Sequence, residues 1–277
     1  MEKKKNKFLS NKGFMIFAIL ALLIILASIC APLLCHGVDP TDGDLSQAIM
    51  APSAEHPFGT DKMGRDIFAR VVYGARSSLS ATLILVAVIL VIGTLLGIIS
   101  GYFGGWVDAV IMRIADMMIA FPGLVLAIAV AGILGPSMRN AVIAIALVSW
   151  PKYARLARSL VMKIRHTDFV AAAQVTGSKT GYMLWKYMLP NTITTLVITA
   201  ATDIGGMMME LSALSFLGFG AQPPTPEWGA MLSDGRSYIR SSGWMCLFPG
   251  LAIMITVLSF NLMGDGLRDA LDPKLKQ

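Results

Sequence analysis

The fold of this protein is indicated by LSATLILVAVILVIGTLLGIISGYF, residues 79–103, a stretch of 25 residues without a charged side chain. About 20 consecutive apolar residues make a helix long enough to cross the hydrocarbon core of a bilayer. Such a helix satisfies all of its backbone hydrogen bonds internally, which an open strand in lipid cannot do. The stretch therefore predicts a membrane-spanning helix.

The same character extends through the chain. Hydrophobic residues occupy 55% of its 277 positions and charged residues only 14%, against roughly 25% charged in a soluble domain. This composition argues against a soluble globular domain and against a disordered chain. Five further apolar runs are predicted to span the membrane: residues 14–34, 107–134, 140–156, 189–219 and 244–263. The sequence thus predicts an all-α membrane protein with six transmembrane helices.

The basic residues set the predicted orientation. Fifteen of the 23 Lys and Arg residues lie in the N-terminal tail, between the fourth and fifth spans, and in the C-terminal tail. A six-span topology places these stretches on one side, which the positive-inside rule makes the cytosol. The net charge of +6 is therefore interpreted as a topology signal and not as a nucleic-acid-binding surface.

The predicted organisation follows from these spans. It comprises a cytosolic tail (1–13), a first transmembrane helix (14–35), an outer loop (36–78), a five-helix core (79–267) with a cytosolic loop (163–188), and a cytosolic C-terminal tail (268–277). Both termini are expected in the cytosol.

Motifs for catalysis and for cofactor binding are missing from the sequence. A phosphate-binding loop needs a second glycine before its Lys, but Gly177-Ser178-Lys179-Thr180 has serine there. No zinc-protease or hydrolase motif occurs, and the three histidines and three cysteines have no metal-ligand spacing. We therefore expect no catalytic residue, no ATP site, no bound cofactor and no certain metal site in this chain.

The loop between the fourth and fifth spans contains a distinctive pattern. Three small residues, Ala171, Ala172 and Ala173, precede Gly177, and Leu189-Pro190 follows. Glycine permits a sharp turn, and proline suits the first turn of a helix. The pattern predicts a short helix, a turn and a second helix that enters the membrane. Its small side chains suit a groove in another protein, although a plain amphipathic loop is the open alternative.

This loop resembles the EAA loop of importer-type ABC transporter permeases, in which a coupling helix sits in a cleft of the ATPase subunit. Five residues match the pattern: Ala172, Ala173, Gly177, Leu189 and Pro190. Ala171 stands where the family has glutamate, which puts in doubt any salt bridge that the glutamate would make.

The outer loop carries a second resemblance. Residues 56–66 are similar to the G-T-D-x-x-G-R-D signature of the C-type permease in peptide and nickel importers. The matching residues are Gly59, Thr60, Asp61, Gly64, Arg65 and Asp66. Residues 112–122, 214–218, 227–229 and 264–269 resemble the same subfamily in the expected order, so the resemblance covers nearly the whole chain.

The resemblance implies a non-catalytic permease subunit of an ATP-driven importer in a bacterial or archaeal inner membrane. It implies a channel formed with a sister permease, two ATPase subunits that use ATP, and an extracytoplasmic substrate-binding protein. The implied cargo is dipeptides, oligopeptides, or nickel or a nickel chelate, and Asp203 with the methionines that follow it resembles the nickel-transporting members most. The alternatives are a secondary transporter and a membrane scaffold without ATPase coupling.

Physical reading of the outer motif predicts a rigid loop. Asp61, Arg65 and Asp66 can form a local cluster of ion pairs. We expect exposed pairs, each worth about 0–1 kcal/mol, so the motif is interpreted as shaping the loop and not as stabilising it.

Four glycines in the second span, Gly93, Gly97, Gly101 and Gly105, recur every four residues. This spacing leaves a smooth groove on one helix face, where another helix can approach closely. We expect helix–helix packing there, with the interface to a partner permease as one option.

Intramembrane acids mark the candidate translocation path. Asp203, Met207 and Glu210 are spaced for one helical face of the fifth span. Acids inside a membrane are costly, so they are interpreted first as functional. The open alternatives are that Glu210 pairs with a basic group such as Arg113 or caps a helix break, and that the methionines only pack.

Overall fold

The computed structural model describes residues 12–271 and shows a helical protein. No β-strand occurs within these residues. The α-helices in chain order are α1 (Lys12–Ile29), α2 (Ala31–Leu34), α3 (Ile67–Phe103), α4 (Gly105–Ile119), α5 (Gly123–Leu134), α6 (Met138–Arg165), α7 (Asp168–Val175), α8 (Thr180–Met183), α9 (Leu189–Phe216), α10 (Trp228–Gly235) and α11 (Trp244–Leu271). The predicted tails, 1–13 and 268–277, fall largely outside the described residues.

Within residues 12–271, three helical segments are long and apolar enough to cross a membrane: Ile67–Phe103, Thr180–Phe216 and Trp244–Arg268. The bent pair α4 and α5 makes a fourth if it counts as one span. The six-helix count is therefore not confirmed. Helix α1 is apolar but short, and basic side chains in the second half of α6 make it less apolar than the other long helices.

Helix α3 begins at Ile67 and not near residue 79, so the outer loop is shorter than expected. Asp66 caps this helix, since its Oδ1 accepts a hydrogen bond from Ala69 N at 2.7 Å. A side-chain acceptor at this position satisfies a backbone N–H that the first helical turn leaves unpaired.

The predicted third span, residues 107–134, is divided into α4 and α5, which meet at 94°. Pro122 lies at the break and immediately precedes α5. Proline lacks a backbone N–H and disfavours helical geometry in the residue before it, so a single straight helix was the wrong expectation here.

The fifth span also begins earlier than predicted. Helical structure runs from Thr180 to Phe216, and a π-helical turn, Leu184–Met188, directly precedes α9. Pro190 lies in the first turn of α9, but this turn continues from helix and does not emerge from a loop. Pro190 has no N–H to donate to the turn before it, and next to it Asn191 Nδ2 donates to Tyr187 O at 2.7 Å.

The core of the protein lies between α3, α6 and α9. Helix α3 packs most extensively on α6, and α9 packs on α11 and on α3. The side chains of Leu85, Ile89, Ile145, Leu196 and Leu211 are almost completely buried in this core. Helix α1 packs on α11 at the periphery.

Candidate functional site

Asp61 organises the outer-loop motif. Its Oδ2 accepts from Arg65 Nε at 2.7 Å, and its Oδ1 accepts from the backbone N–H of Met63 at 2.8 Å and of Arg65 at 3.1 Å. The expectation of an exposed pair was wrong, because Asp61 and Arg65 are each only 5% exposed. Buried ions require several hydrogen bonds to offset the loss of water, and this site supplies them.

Arg70, which sequence reasoning missed, ties the motif to two other segments. It is 3% exposed, and its Nη1 donates to Pro40 O at 2.9 Å and to Pro224 O at 3.2 Å. Its Nε lies 3.5 Å from Asp61 Oδ2. The available signal was an arginine one turn after Asp66, in an otherwise apolar helix start.

Asp66 does not join the Asp61–Arg65 pair, contrary to the predicted cluster. One of its carboxylate oxygens, Oδ1, caps α3, and the other, Oδ2, lies 2.9 Å from His56 Nδ1. The two carboxylates leave the loop on different sides because helix capping turns Asp66 towards the first turn of α3.

The remaining motif residues close the loop. Gly64 has φ +74°, and a Cβ there would overlap the backbone oxygen of Asp44. A Cβ on Gly59 would lie 2.6 Å from Met50 O. Thr60 Oγ1 accepts from Met50 N at 2.8 Å and donates to Gln47 O. The structure thus brings all six motif residues into one buried turn.

A buried glutamate, Glu227, anchors the segment between α9 and α11. Glu227 caps α10, accepting from Gly229 N at 3.0 Å and Ala230 N at 2.8 Å, while Ser78 Oγ of α3 donates to it at 3.1 Å. Burial raises the pKa of Glu227, and these hydrogen bonds act in the opposite direction. Hydrogen bonds from Ser78 and Arg70 of α3 therefore hold the segment before α10 against the start of α3.

Three of the four spaced glycines contact α6 of the same chain. A Cβ on Gly93 would clash with Tyr153 Cβ, one on Gly97 with Ala154 O, and one on Gly101 would lie 2.9 Å from Arg158 O. The close approach is therefore intramolecular and not an interface with a partner. The prediction was wrong for Gly105, where a Cβ would meet nothing within 4 Å, because α3 has ended at Phe103.

We expect Gly97→Ala to destabilise the protein by about 1–3 kcal/mol, because the added methyl group must push α3 and α6 apart. Gly123→Ala is the matched control, since its nearest neighbour would be Val148 Cγ1 at an ordinary 3.8 Å. Thermal unfolding of the detergent-solubilised protein measures both. Equal melting temperatures for the two variants would contradict the proposed close packing.

The predicted cytosolic loop, residues 163–188, is shorter in the structure, because α6 extends to Arg165 and helix resumes at Thr180; between them lie the short helix α7 and a turn. On the buried face of α7, Val170 and Ala173 pack against Val161 and Met183 in a small cluster. On the opposite face, Ala171 and Ala172 are exposed, and Val175 is 88% exposed. A buried face thus fixes α7 to the helices that follow and precede it, while its free surface exposes the small Ala171 and Ala172 together with the larger Phe169 and Val175.

Gly177 ends α7 with two paired hydrogen bonds. Its N–H donates to Gln174 O at 3.0 Å, and Ser178 N donates to Ala173 O at 3.1 Å. This is the Schellman arrangement, which needs a left-handed residue at the first position after the cap. Gly177 has φ +80°. Leu189 is half-buried against the cluster and Pro190 is exposed.

Three basic residues of α6 each pair with an acid on another helix. Lys152 Nζ donates to both carboxylate oxygens of Asp203, at 2.8 and 2.6 Å. Farther along α6, Arg155 pairs with Asp116 at 2.5 Å, and Arg158 forms a bidentate pair with Asp108 at 2.5 and 2.6 Å. Sequence reasoning treated these cations only as topology markers.

The candidate path residues are only partly brought together. Asp203 and Glu210 lie on α9, and Tyr153 Oη donates to Asp203 Oδ2 at 2.9 Å. Met207 is 8% exposed and packs in the core, so it does not share the open surface with the two acids. The alternative that Glu210 pairs with Arg113 is wrong, since Arg113 is exposed and forms no ion pair with it. The described residues hold no group of three or more His, Cys, Asp or Glu that could bind a metal.

Comparison with known proteins gives consistent results. The family model of the binding-protein-dependent transport system inner membrane component matches residues 93–277. A dipeptide transport system permease protein of Alkalihalophilus pseudofirmus is 49% identical over 96% of this chain and 87% of its own length. A probable D,D-dipeptide transport system permease protein of Escherichia coli is 45% identical over 93% and 86%.

Two further proteins extend the comparison. A glutathione transport system permease protein of Escherichia coli is 44% identical over 94% of this chain and 87% of its own length. Among solved structures, an amino acid ABC transporter crystallised with histidines has a TM-score of 0.56. It covers 74% of this chain and 95% of its own, and at 15% identity it supports the fold alone.

Proposed function

Because the chain belongs to the family of binding-protein-dependent transport system inner membrane components, we propose that it is the permease subunit through which an ATP-driven importer passes dipeptides. The observation that carries this proposal is the relative named for dipeptide transport, which is 49% identical over 96% of this chain. The apolar helices fit a multi-pass membrane protein.

Peptides are a better-supported cargo than nickel. The relatives described above are named for dipeptides, D,D-dipeptides and glutathione. We therefore propose dipeptides as the main cargo and keep nickel as a competitor in the test.

We propose that the chain pairs with a sister permease and receives substrate from an extracytoplasmic binding protein. Two ATPase subunits would bind the ATP, one of them docked on α7, so that this chain hydrolyses none itself. The exposed small residues of α7 support this docking mode, because they leave a shallow surface for a groove. Ala171 is exposed there, so contacts at that position would be apolar and not ionic.

The helices that connect to α7 indicate which part of the chain would move when an ATPase subunit pushes on it. It joins α6 to the helical run that ends in α9, and α6 and α9 also pack directly on each other. A push on α7 would therefore tilt α6 and α9 together and change access along the face that holds Asp203 and Glu210. We propose an inner-membrane location with both termini in the cytosol, supported by the basic side chains at the end of α6 and around α7.

Uptake by cells that lack this chain tests the proposal. We expect loss of radiolabelled dipeptide uptake, restoration by the wild-type chain, and no competition from excess nickel. ATPase subunits should co-purify with the restored chain. Uptake driven by a proton or sodium gradient without ATPase partners, or restored nickel uptake without dipeptide uptake, would refute it.

A further inference from the structure

Three charged side chains share an open surface midway along α6 and α9. We call this surface the charged face and define it by Lys152, Asp203 and Glu210. The Lys152 side chain is 58% exposed, and it pairs with Asp203 of the segment Thr180–Phe216, which is long and apolar enough to cross a membrane. Ionisable groups on such a helix face the bundle interior or a water-filled cavity and not lipid, so the charged face is expected to border an aqueous path.

Lys152 has capacity to bind one more acceptor. A lysine ammonium has three N–H donors, and two of them donate to Asp203. Asp203 is held in place by Tyr153 Oη at 2.9 Å, and its side chain is only 16% exposed. Asp203 therefore positions the ammonium group of Lys152, whose side chain is 58% exposed and has donor capacity left for a further acceptor.

Glu210 is available in the complementary way. Among residues 12–271 it takes part in no hydrogen bond and no ion pair, although it interacts electrostatically with Lys152 and Asp203. Between the two acids, Gly206 is exposed, and a Cβ there would meet nothing within 4 Å. The surface between Asp203 and Glu210 is thus left unfilled by the chain's own side chains.

The spacing suits a short peptide. Asp203 and Glu210 are seven positions apart, which is about 10 Å along a helix. Two extended residues span at most about 7 Å, and a hydrogen bond at each end adds about 3 Å. A bound dipeptide is therefore long enough to span the rise between these two positions, and the ammonium of Lys152 lies beside the first of them.

We propose that the charged face is a transit site for zwitterionic dipeptides, in which Lys152 binds the peptide carboxylate and Glu210 binds the peptide ammonium. The proposal rests on the proposed function and adds the residues that recognise the cargo inside the permease. Asp203 is a positioning residue, since it acts through Lys152.

Two variants in the reconstituted complex, with sister permease, ATPases and binding protein, test this role. We expect Glu210→Gln to lower dipeptide uptake by roughly tenfold or more, because a hydrogen bond to a charged group is lost. Stimulation of ATP hydrolysis by the peptide-loaded binding protein should stay within about twofold, and Glu210→Asp should recover most of the uptake. Asp116→Asn, an exposed acid of α4, is the matched control and should leave uptake unchanged.

The double variant Lys152→Met/Asp203→Asn separates recognition from a purely structural link. Removing both charges leaves neither ion unpaired and is well tolerated in a structural pair, so a structural link predicts near-normal uptake. We expect a loss as large as that of Glu210→Gln. Normal uptake in the double variant or in Glu210→Gln would overturn the proposal. Absence of dipeptide uptake by the wild-type complex would instead refute the proposed function.

Discussion

Replacing Gly177 with proline is expected to abolish ATP-driven uptake and to release the ATPase subunits from the purified complex. Gly177 has φ +80°, whereas proline is fixed near −65°. Proline also removes the N–H that donates to Gln174 O at the end of α7. The turn cannot then form, and α7 loses its fixed position against Val161 and Met183.

A graded series of alanine variants makes this expectation specific. Gly177→Ala should weaken ATPase co-purification only in part, since alanine in the left-handed region costs about 1–2 kcal/mol. Gly181→Ala is the matched control, because a Cβ there meets nothing within 4 Å and its φ is not positive. Wild-type uptake by Gly177→Pro, with ATPase subunits still bound, would show that α7 is not the coupling element.

Replacing Asp61 with asparagine is expected to destabilise the protein by about 3–5 kcal/mol, the usual cost of removing one partner from a buried ion pair. Arg65 and Arg70, which are 5% and 3% exposed, would then share a buried site without a full countercharge. The melting temperature and yield of the detergent-solubilised protein measure the effect.

The same substitution at an exposed position provides the control. Asp39 accepts only local hydrogen bonds from Thr41, so Asp39→Asn should not change the melting temperature. If Asp61→Asn had the same melting temperature as the wild type, the buried Asp61–Arg65 pair would not be what stabilises the outer-loop motif.

Several features could be predicted from sequence because their causes are local. The helix, turn and helix around Gly177 follow from small residues, a glycine and a proline within about two dozen positions, and the structure has this order. The apolar stretch 79–103 was equally informative, since its helix needs no partner to satisfy the backbone. The break between α4 and α5 could also have been predicted from Pro122, but the high hydropathy of the whole run 107–134 suggested one continuous span.

Other features depended on contacts between distant parts of the chain. The glycine spacing indicated close packing, yet only the structure identifies α6 as the neighbour and excludes Gly105. The sequence indicated costly acids in the fifth span but not that Lys152, 51 positions away, pairs with Asp203. Likewise, the burial of Asp61 depends on Arg70, Pro40 and Pro224, which the folded chain brings together.

The sequence by itself predicted a helical membrane protein with a short helix and turn around Gly177, and its motif order indicated the family. Tertiary structure decided which charges are paired, which are buried, and that Glu210 forms no hydrogen bond or ion pair within residues 12–271. The physical reason is range: hydropathy and turn chemistry act over one helix length, whereas ion pairing and burial are set by whichever helices pack side by side.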